Sequence, residues 1–208
     1  MKELYIVRHG ESESNAERSF QDGTSHLSEN GREQTKFLAQ RVAKLPNIDL
    51  IVCSPYTRTR ETLDEILKVK EHKVVFTELA QEIERPSELI GKAIDSDEAI
   101  IVTDQIDGNK ADPNWHYSDE ENFTDFKNRT IKLIKYLESF EEETILLIAH
   151  GLLLKMMEGV MLYGENLTAQ EHTSINSHFR TKNTGITKYS KSKDSWHLDT
   201  WMDISHLG

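Results

Sequence analysis

The sequence predicts an α/β protein, a three-layer α/β/α fold with a mostly parallel central sheet and a small inserted cap. Three observations predict it. Short apolar runs alternate with helical stripes along most of the chain. The runs LYIV (4–7), IDLIVC (48–53) and TILLIA (144–149) are almost continuously apolar, as strands covered on both faces are. The stretches between them carry a single apolar stripe, as helices laid on a sheet do.

Residues 3–8 read as the first strand. Ser28 can cap a helix over about 29–45, with Phe37, Leu38, Val42 and Leu45 as its stripe and Pro46 at its end. IDLIVC is the second strand. Ser54-Pro55 reads as an N-cap followed by a first-position proline, opening a helix that runs to about Val69. KVVFT (73–77) is the third strand. The stretch of about 83–118 is irregular and reads as an insertion folded over one end of the sheet. A long helix follows over about 119–140, with Phe123, Phe126, Leu133, Ile134 and Leu137 inward. The acidic run Asp119-Glu120-Glu121 would lie in its first turn, where negative charge is favourable. Strand 144–149, a helix over about 151–162, a short helix near 167–176 and closing strands at 186–189 and 196–202 complete the chain. The expectation is one domain over 1–208, with the cap at about 83–118.

Composition narrows the function classes. The chain has 208 residues, 29% charged and 37% hydrophobic, which fits a globular protein and not a disordered one. No stretch approaches the roughly 20 apolar residues that span a bilayer. The opening residues lack a signal-peptide shape, and a single cysteine, Cys53, rules out an internal disulfide framework. Both point to a reducing cytoplasm. With 25 Lys and Arg against 36 Asp and Glu, the net charge is −11. That argues against nucleic acid or anionic membrane as partner, since both need cations to displace counterions. A small anionic substrate remains compatible, because a few inward cations govern the field inside a pocket.

Two strand ends stand out. The first apolar run stops on Arg8-His9-Gly10 and the later one on His150-Gly151. In open parallel sheets ligands bind beyond the carboxyl ends of strands, so the two histidines can face one pocket. Arg58 would join them from the first turn of the helix after Ser54, whose N-terminus itself favours anions. Two arginines, two histidines and a helix N-terminus suit a doubly charged tetrahedral anion. Flanking guanidinium charge disfavours imidazolium, so His9 should be neutral and able to attack phosphorus. A carboxyl group at the rim could protonate the leaving alkoxide.

These residues match a family. RHGESESN resembles the phosphohistidine signature of the histidine phosphatase superfamily, also called phosphoglycerate mutase-like. HLSENGREQTKFLAQRV, SPYTRTRET, AQEIERP, ENFTDFKNR, LIAHG and NTGIT resemble its further segments in order, so the likeness covers nearly the whole chain. Ala80 stands at a usual leucine and Asn122 at a usual serine. The resemblance implies that His9 is the phosphorylated nucleophile, with Arg8, Arg58 and His150 binding the phosphoryl group. It nominates Glu82 as the acid/base, with Glu84 as the alternative, and Asn15, Gln21 and Gly151 as substrate-binding residues. Where the family often has a glycine after the residue at 21, this chain has Asp22. The implied enzyme is a histidine acid-type phosphatase, a phosphoric monoester hydrolase acting on a small phosphorylated metabolite without cofactor or metal. It would be a monomer or homodimer.

Two alternatives stand beside it. A phosphoglycerate mutase-type transferase needs added cations for a second phosphate. Between Ile83 and Thr130 there are 5 Lys and Arg against 12 Asp and Glu, a net of −7. So acidic a cap repels polyanions unless Arg85, Lys92 or Lys110 turns inward. A non-catalytic module that binds phosphorylated ligands would have no use for a nucleophile and an acid. Cys53 lies at C-x4-R from Arg58, which does not form the cysteine-phosphatase loop, and reads as a buried core residue. His172 and His178 read as surface or structural. Trp115, His116 and Tyr117 could line a substrate channel or simply pack.

Overall fold

The computed structural model describes residues 2–193 and 195–208. Its sheet has six strands: β1 (Lys2–Arg8), β2 (Leu50–Cys53), β3 (Val74–Phe76), β4 (Thr144–Ala149), β5 (Ile186–Ser192) and β6 (Ser195–Asp203). Their spatial order is β3-β2-β4-β1-β5-β6. The four strands from β3 to β1 are parallel, and β5 and β6 close the sheet antiparallel. The chain order doubles back at β1 and β4. Their register pairs Arg8 with Ala149, so the residues that follow, His9 and His150, leave the sheet side by side.

Alternation along β1 decides which helices cover which face. Leu4 and Ile6 join Leu50, Val52, Ile145 and Leu147 in one core. Helices α5 (Phe123–Ser139) and α6 (Gly151–Tyr163) cover it with Phe126, Leu133, Leu137, Leu153 and Met157. Tyr5 and Val7 point the other way, with Ile51, Cys53, Leu146 and Ile148. There α2 (Glu29–Val42) and α3 (Thr57–Val69) supply Leu38, Val42, Leu63 and Ile66. Each such Leu or Ile, removed from water, contributes about 1.5–3 kcal/mol. No helix of the described residues is long and apolar enough to cross a membrane.

Several boundaries differ from expectation for identifiable reasons. The third-layer helix does not start at Ser54-Pro55. It begins at Thr57 with Tyr56 as an N-cap that makes no side-chain cap bond, because the Ser54 hydroxyl is engaged with His150 at 2.8 Å. The acidic run lies ahead of α5, which Asn122 caps by accepting from the Asp125 amide. Asp119 accepts from the Ser87 amide, Glu120 from the Tyr117 and Ser118 amides, and Glu121 pairs with Arg129. The run therefore holds loops together.

Two helices were not expected. The short α1 (Glu13–Glu17) carries a Ser12–Asn15 capping box. Within the 83–118 stretch lies α4 (Asp97–Gly108), capped by Ser96. It packs Ala99 and Val102 against Leu89 in a small core of its own, with Phe20, Ile106 and Tyr117. The last helix, α7 (Ala169–His178), opens with a Thr168–Glu171 capping box.

Candidate active site

The site forms where β1 and β4 end. The His9 and His150 rings stand 5.2 Å apart, and both side chains are buried. His9 Nδ1 lies 2.6 Å from the Gly10 carbonyl oxygen. A carbonyl only accepts, so Nδ1 carries the proton. The Arg58 Nε–H donates to His9 Nε2 at 3.3 Å, which requires a lone pair there. The two contacts agree on one tautomer, with the basic nitrogen turned toward the cations. Burial first, then Arg58 and Arg8, hold the His9 imidazole well below its usual range. His150 is lowered in the same way, by burial and then Arg58.

Arg58 is 1% exposed. Its second anchor is a donation to the Asp22 carbonyl oxygen at 2.6 Å, and its guanidinium lies 4.9 Å from the Tyr56 ring centre. Burial pushes the group down to about 10, with Glu82 opposing, so it is still a cation at neutral pH. Tyr56 also packs edge-on to His150 at 5.2 Å. Arg8 donates to the Thr181 carbonyl oxygen at 3.1 Å and to Asn15 Oδ1 at 3.4 Å. Its Nε and the Nδ1 of His150 are buried without a partner among the described residues. Both sit beside His9, where an added oxygen ligand could satisfy them.

Gly151 follows His150 and opens α6. A Cβ there would meet Thr181 Oγ1 at 2.8 Å and Arg8 Nε at 3.3 Å. The position favours glycine because a side chain would crowd the Thr181 hydroxyl first and Arg8 second, and not for any turn. His150 gives α6 no side-chain cap. Glu82 supplies one from outside, accepting from the amides of Leu152 and Leu153 at 3.0 Å each. That puts its carboxylate at the helix N-terminus, near enough to Arg8 and Arg58 to oppose the lowering that burial imposes on both. Arg129 fixes the Glu82 segment by donating to the carbonyls of Leu79, Gln81 and Glu82. Glu84 is exposed, and its amide donates to Glu121.

Asn15 and Gln21 lie on the loop side. Asn15 Oδ1 accepts from Arg8, from the Ser12 amide and from Asn183. Gln21 accepts from the Ser12 hydroxyl at 2.8 Å. Asn183 is the residue that reading the sequence missed. Its Nδ2 donates to the His9 carbonyl oxygen at 3.1 Å as well as to Asn15. Thr184 beside it adopts φ 57°, a strained value for a β-branched residue, and its amide donates to the Arg8 carbonyl oxygen. The only signal was NTGIT as a closing-strand segment. Ser54 and Tyr56 were visible as part of SPYTR but not as partners of His150.

Cys53 is buried, with its thiol pushed up to about 12 by burial, and takes no part. Among the described residues no three His, Cys, Asp or Glu side chains converge as a metal site. A cavity of about 430 Å³ adjoins the cluster, and Leu152, whose amide holds Glu82, is in its wall. His172 and Trp115 line it. His116 instead bonds the Glu120 carbonyl, and Tyr117 joins the α4 core. His172 is partly buried and belongs to the wall of this cavity.

Known proteins resemble this chain over its full length. A protein of Schizosaccharomyces pombe named "Probable phosphatase C1687.21" is 26% identical over 213 residues, covering 98% of this chain and 94% of its own. A protein of Photorhabdus laumondii named "Probable phosphoglycerate mutase GpmB" is 28% identical over 220 residues, covering 100% and 95%. The solved structure of a phosphoserine phosphatase mutant from Entamoeba histolytica with phosphoserine shares the fold. It has a TM-score of 0.79 at 24% identity, with 100% of each chain covered. The family model described as "Histidine phosphatase superfamily (branch 1)" matches residues 4–204. With that match spanning the sheet, the paired histidines and both arginines, the chain belongs to the histidine phosphatase superfamily.

Proposed function

We propose that the protein is a phosphoric monoester hydrolase that works through a phosphohistidine at His9 and needs no metal. One observation carries the reading: His9 is held as the Nδ1–H tautomer, with an unprotonated Nε2 that accepts from Arg58. The Nε2 lone pair attacks phosphorus in line, and the bond from phosphorus to the ester oxygen breaks. Arg8 and Arg58 balance the charge on the phosphoryl oxygens. The buried, unpartnered Arg8 Nε and His150 Nδ1 are two atoms those oxygens would meet. The Ser54 hydroxyl can donate to His150 Nε2, which leaves Nδ1 as the donor.

Glu82 gives its proton to the leaving alkoxide. It then takes one from the water that attacks phosphorus, the bond from phosphorus to Nε2 breaks, and orthophosphate departs. Asn15 orients Arg8, Gln21 bounds the loop side, and Gly151 leaves room for Arg8. The acid-type reading, which the family resemblance implies, is supported by the lowering of the His9 imidazole, which would keep it a nucleophile at acid pH. The proposal includes a single domain over 1–208 whose 83–118 segment is the cap. It also includes a small phosphorylated substrate, a cytoplasmic location, a monomer or homodimer, and no nucleic-acid or membrane partner.

The mutase reading is favoured by the name of the Photorhabdus relative. Against it stands the charge of the cap. Lys92 is paired with Glu98 and Lys110 with Asp107, so Arg85 is the cap cation left for an anion, too little for a second phosphate. The test is turnover of p-nitrophenyl phosphate in the presence of a chelator, with phosphoglycerate mutase activity assayed in parallel. Hydrolysis is expected, with acid-labile phosphate trapped on His9, and His9→Ala should cut the rate by about 10⁴-fold or more. A label on any other residue, or mutase turnover exceeding hydrolysis, defeats the reading.

A further inference from the structure

The cavity beside the cluster lies between α4, α5, α6 and α7. Glu82 itself is not in the wall, but its carboxylate accepts from the amide of Leu152, which is, and the next residues, Ile83 and Glu84, line the cavity. Its wall mixes apolar and aromatic residues, including Phe20, Ile106, Trp115, Phe126 and Met156, with charged ones. Much of its charge is already engaged. Asp107 pairs with Lys110, Glu121 with Arg129, and Glu120 accepts from two amides. His172 is a neutral imidazole, pushed down to about 4 by burial, and its buried Nε2 has no partner among the described residues.

Arg85 differs from these groups. Its half-buried guanidinium lines the same cavity. Among the described residues it makes no hydrogen bond and no ion pair within 4.0 Å. Glu82, Asp107 and Glu120 act on it only from farther away, against the lowering by burial. A guanidinium facing apolar walls without a partner is costly, and the cost is recovered when an anion arrives.

We propose, building on the phosphomonoesterase reading, that this cavity receives the leaving group and that Arg85 pairs with one carboxylate on it. The substrate class is then a phosphate monoester of a hydroxy acid that carries a bulky apolar or aromatic body. Charge selects the monoanion. A second phosphate would bring two charges to one free cation, with Glu84, Asp107, Glu120 and Glu121 close by. Size selects the bulk, since cavities of roughly 300–1,000 Å³ take drug-sized ligands and a three-carbon acid would leave most of this one unfilled. Shape and chemistry agree, because Phe20, Ile106 and Trp115 give apolar wall and His172 Nε2 offers one polar contact.

The experiment compares kcat/KM for N-benzoyl-O-phosphoserine and its carboxamide, which differ only in the charge Arg85 would meet. Wild type should prefer the acid by at least about tenfold, the value of a charge-assisted hydrogen bond. Arg85→Met should bring that ratio to near one, and Arg85→Lys should keep part of it. If Arg85→Met fails to fold, the fall of the ratio in Arg85→Lys, which loses the fork but not the charge, decides. Equal use of acid and amide by wild type overturns the proposal. So does a ratio unmoved in the variants, or a bisphosphate preferred to the acid. If wild type hydrolyses neither these esters nor p-nitrophenyl phosphate, the hydrolase reading has failed by itself. The cavity is then judged by calorimetric Kd of the His9→Ala chain for acid and amide, where the same tenfold preference supports it and equal affinity overturns it.

Discussion

The phosphoryl side and the cavity side of the site are built in opposite ways. On the phosphoryl side, His9 and His150 leave adjacent parallel strands, and Arg58 rises from the helix that packs on them. Its groups are buried, its charge is that of the guanidinium groups, and it is cross-linked through Ser54, Asp22 and Asn15. On the cavity side, short helices and loops supply the walls, the charge is mostly acidic, and Arg85 lacks a partner among the described residues. The first arrangement fixes positions to within a strand register, which suits a reaction that is the same for every substrate. The second leaves a larger and looser volume, where leaving groups can differ.

If that contrast is right, breaking the phosphoryl side should hurt all substrates alike. Arg58→Ala removes one of two guanidinium charges facing the attacked group and its 3.3 Å contact with Nε2. A loss of about 10²–10³ in kcat is expected, as for one oxyanion-type donor, and it should be equal for aryl and alkyl phosphates. A loss confined to one substrate would move Arg58 to the specificity side.

Glu82 sits at the boundary, so its variant sharpens the comparison. Glu82→Gln keeps a carbonyl oxygen for one of the Leu152 and Leu153 amides, turns an NH2 toward the other, and cannot give a proton. The expected loss is about 10² on alkyl phosphates and much less on p-nitrophenyl phosphate, whose phenolate leaves unaided. Glu84→Gln should show no such dependence on leaving group. If Glu84→Gln shows it and Glu82→Gln does not, the acid is Glu84.

The contrast also explains what could be read in the sequence. Arg-His-Gly and His-Gly were legible because each ends an apolar run, and runs of that kind pair in a parallel sheet. Ser54 was misread as a helix cap because its real partner, His150, is 96 residues away. The helix α4 was missed because Ile100 and Ile101 are exposed, at 44% and 58%, and blur any stripe. The short α1 buries nothing and leaves no stripe at all. The inward turn of Arg85 could be stated only as a condition, since a loop's direction depends on contacts such as Arg129 with the Glu82 segment.

Stability should carry the mark of the buried histidines. In the unfolded chain His9 and His150 take up protons as pH falls through about 6.5. In the fold both are held well below that, so below 6.5 the unfolded state binds more protons and stability falls with pH. Each histidine adds up to about 1.4 kcal/mol per pH unit to the slope, and His172, lowered to about 4, extends the window. Thermal melts between pH 7 and 5 should show Tm falling with pH, less steeply in His150→Asn. A flat Tm over that range would mean that both imidazoles titrate normally and that His9 is not held neutral.

The smallest effect tests how tightly the phosphoryl side is cross-linked. Asn183 donates to the His9 carbonyl and to Asn15, which in turn accepts from Arg8. It touches no reacting atom, so it acts only through the placing of His9 and Arg8. Asn183→Ala removes two neutral hydrogen bonds of about 1 kcal/mol each, and kcat/KM should fall about tenfold or less on every ester. Asn183→Asp should do worse, because it turns an acceptor toward two oxygens that need a donor. The ordering of the two variants separates a hydrogen-bonding role from a space-filling one: Asp resembles Asn in volume and Ala does not, so an Asp variant less impaired than Ala would mean that filling, not donating, is what position 183 contributes.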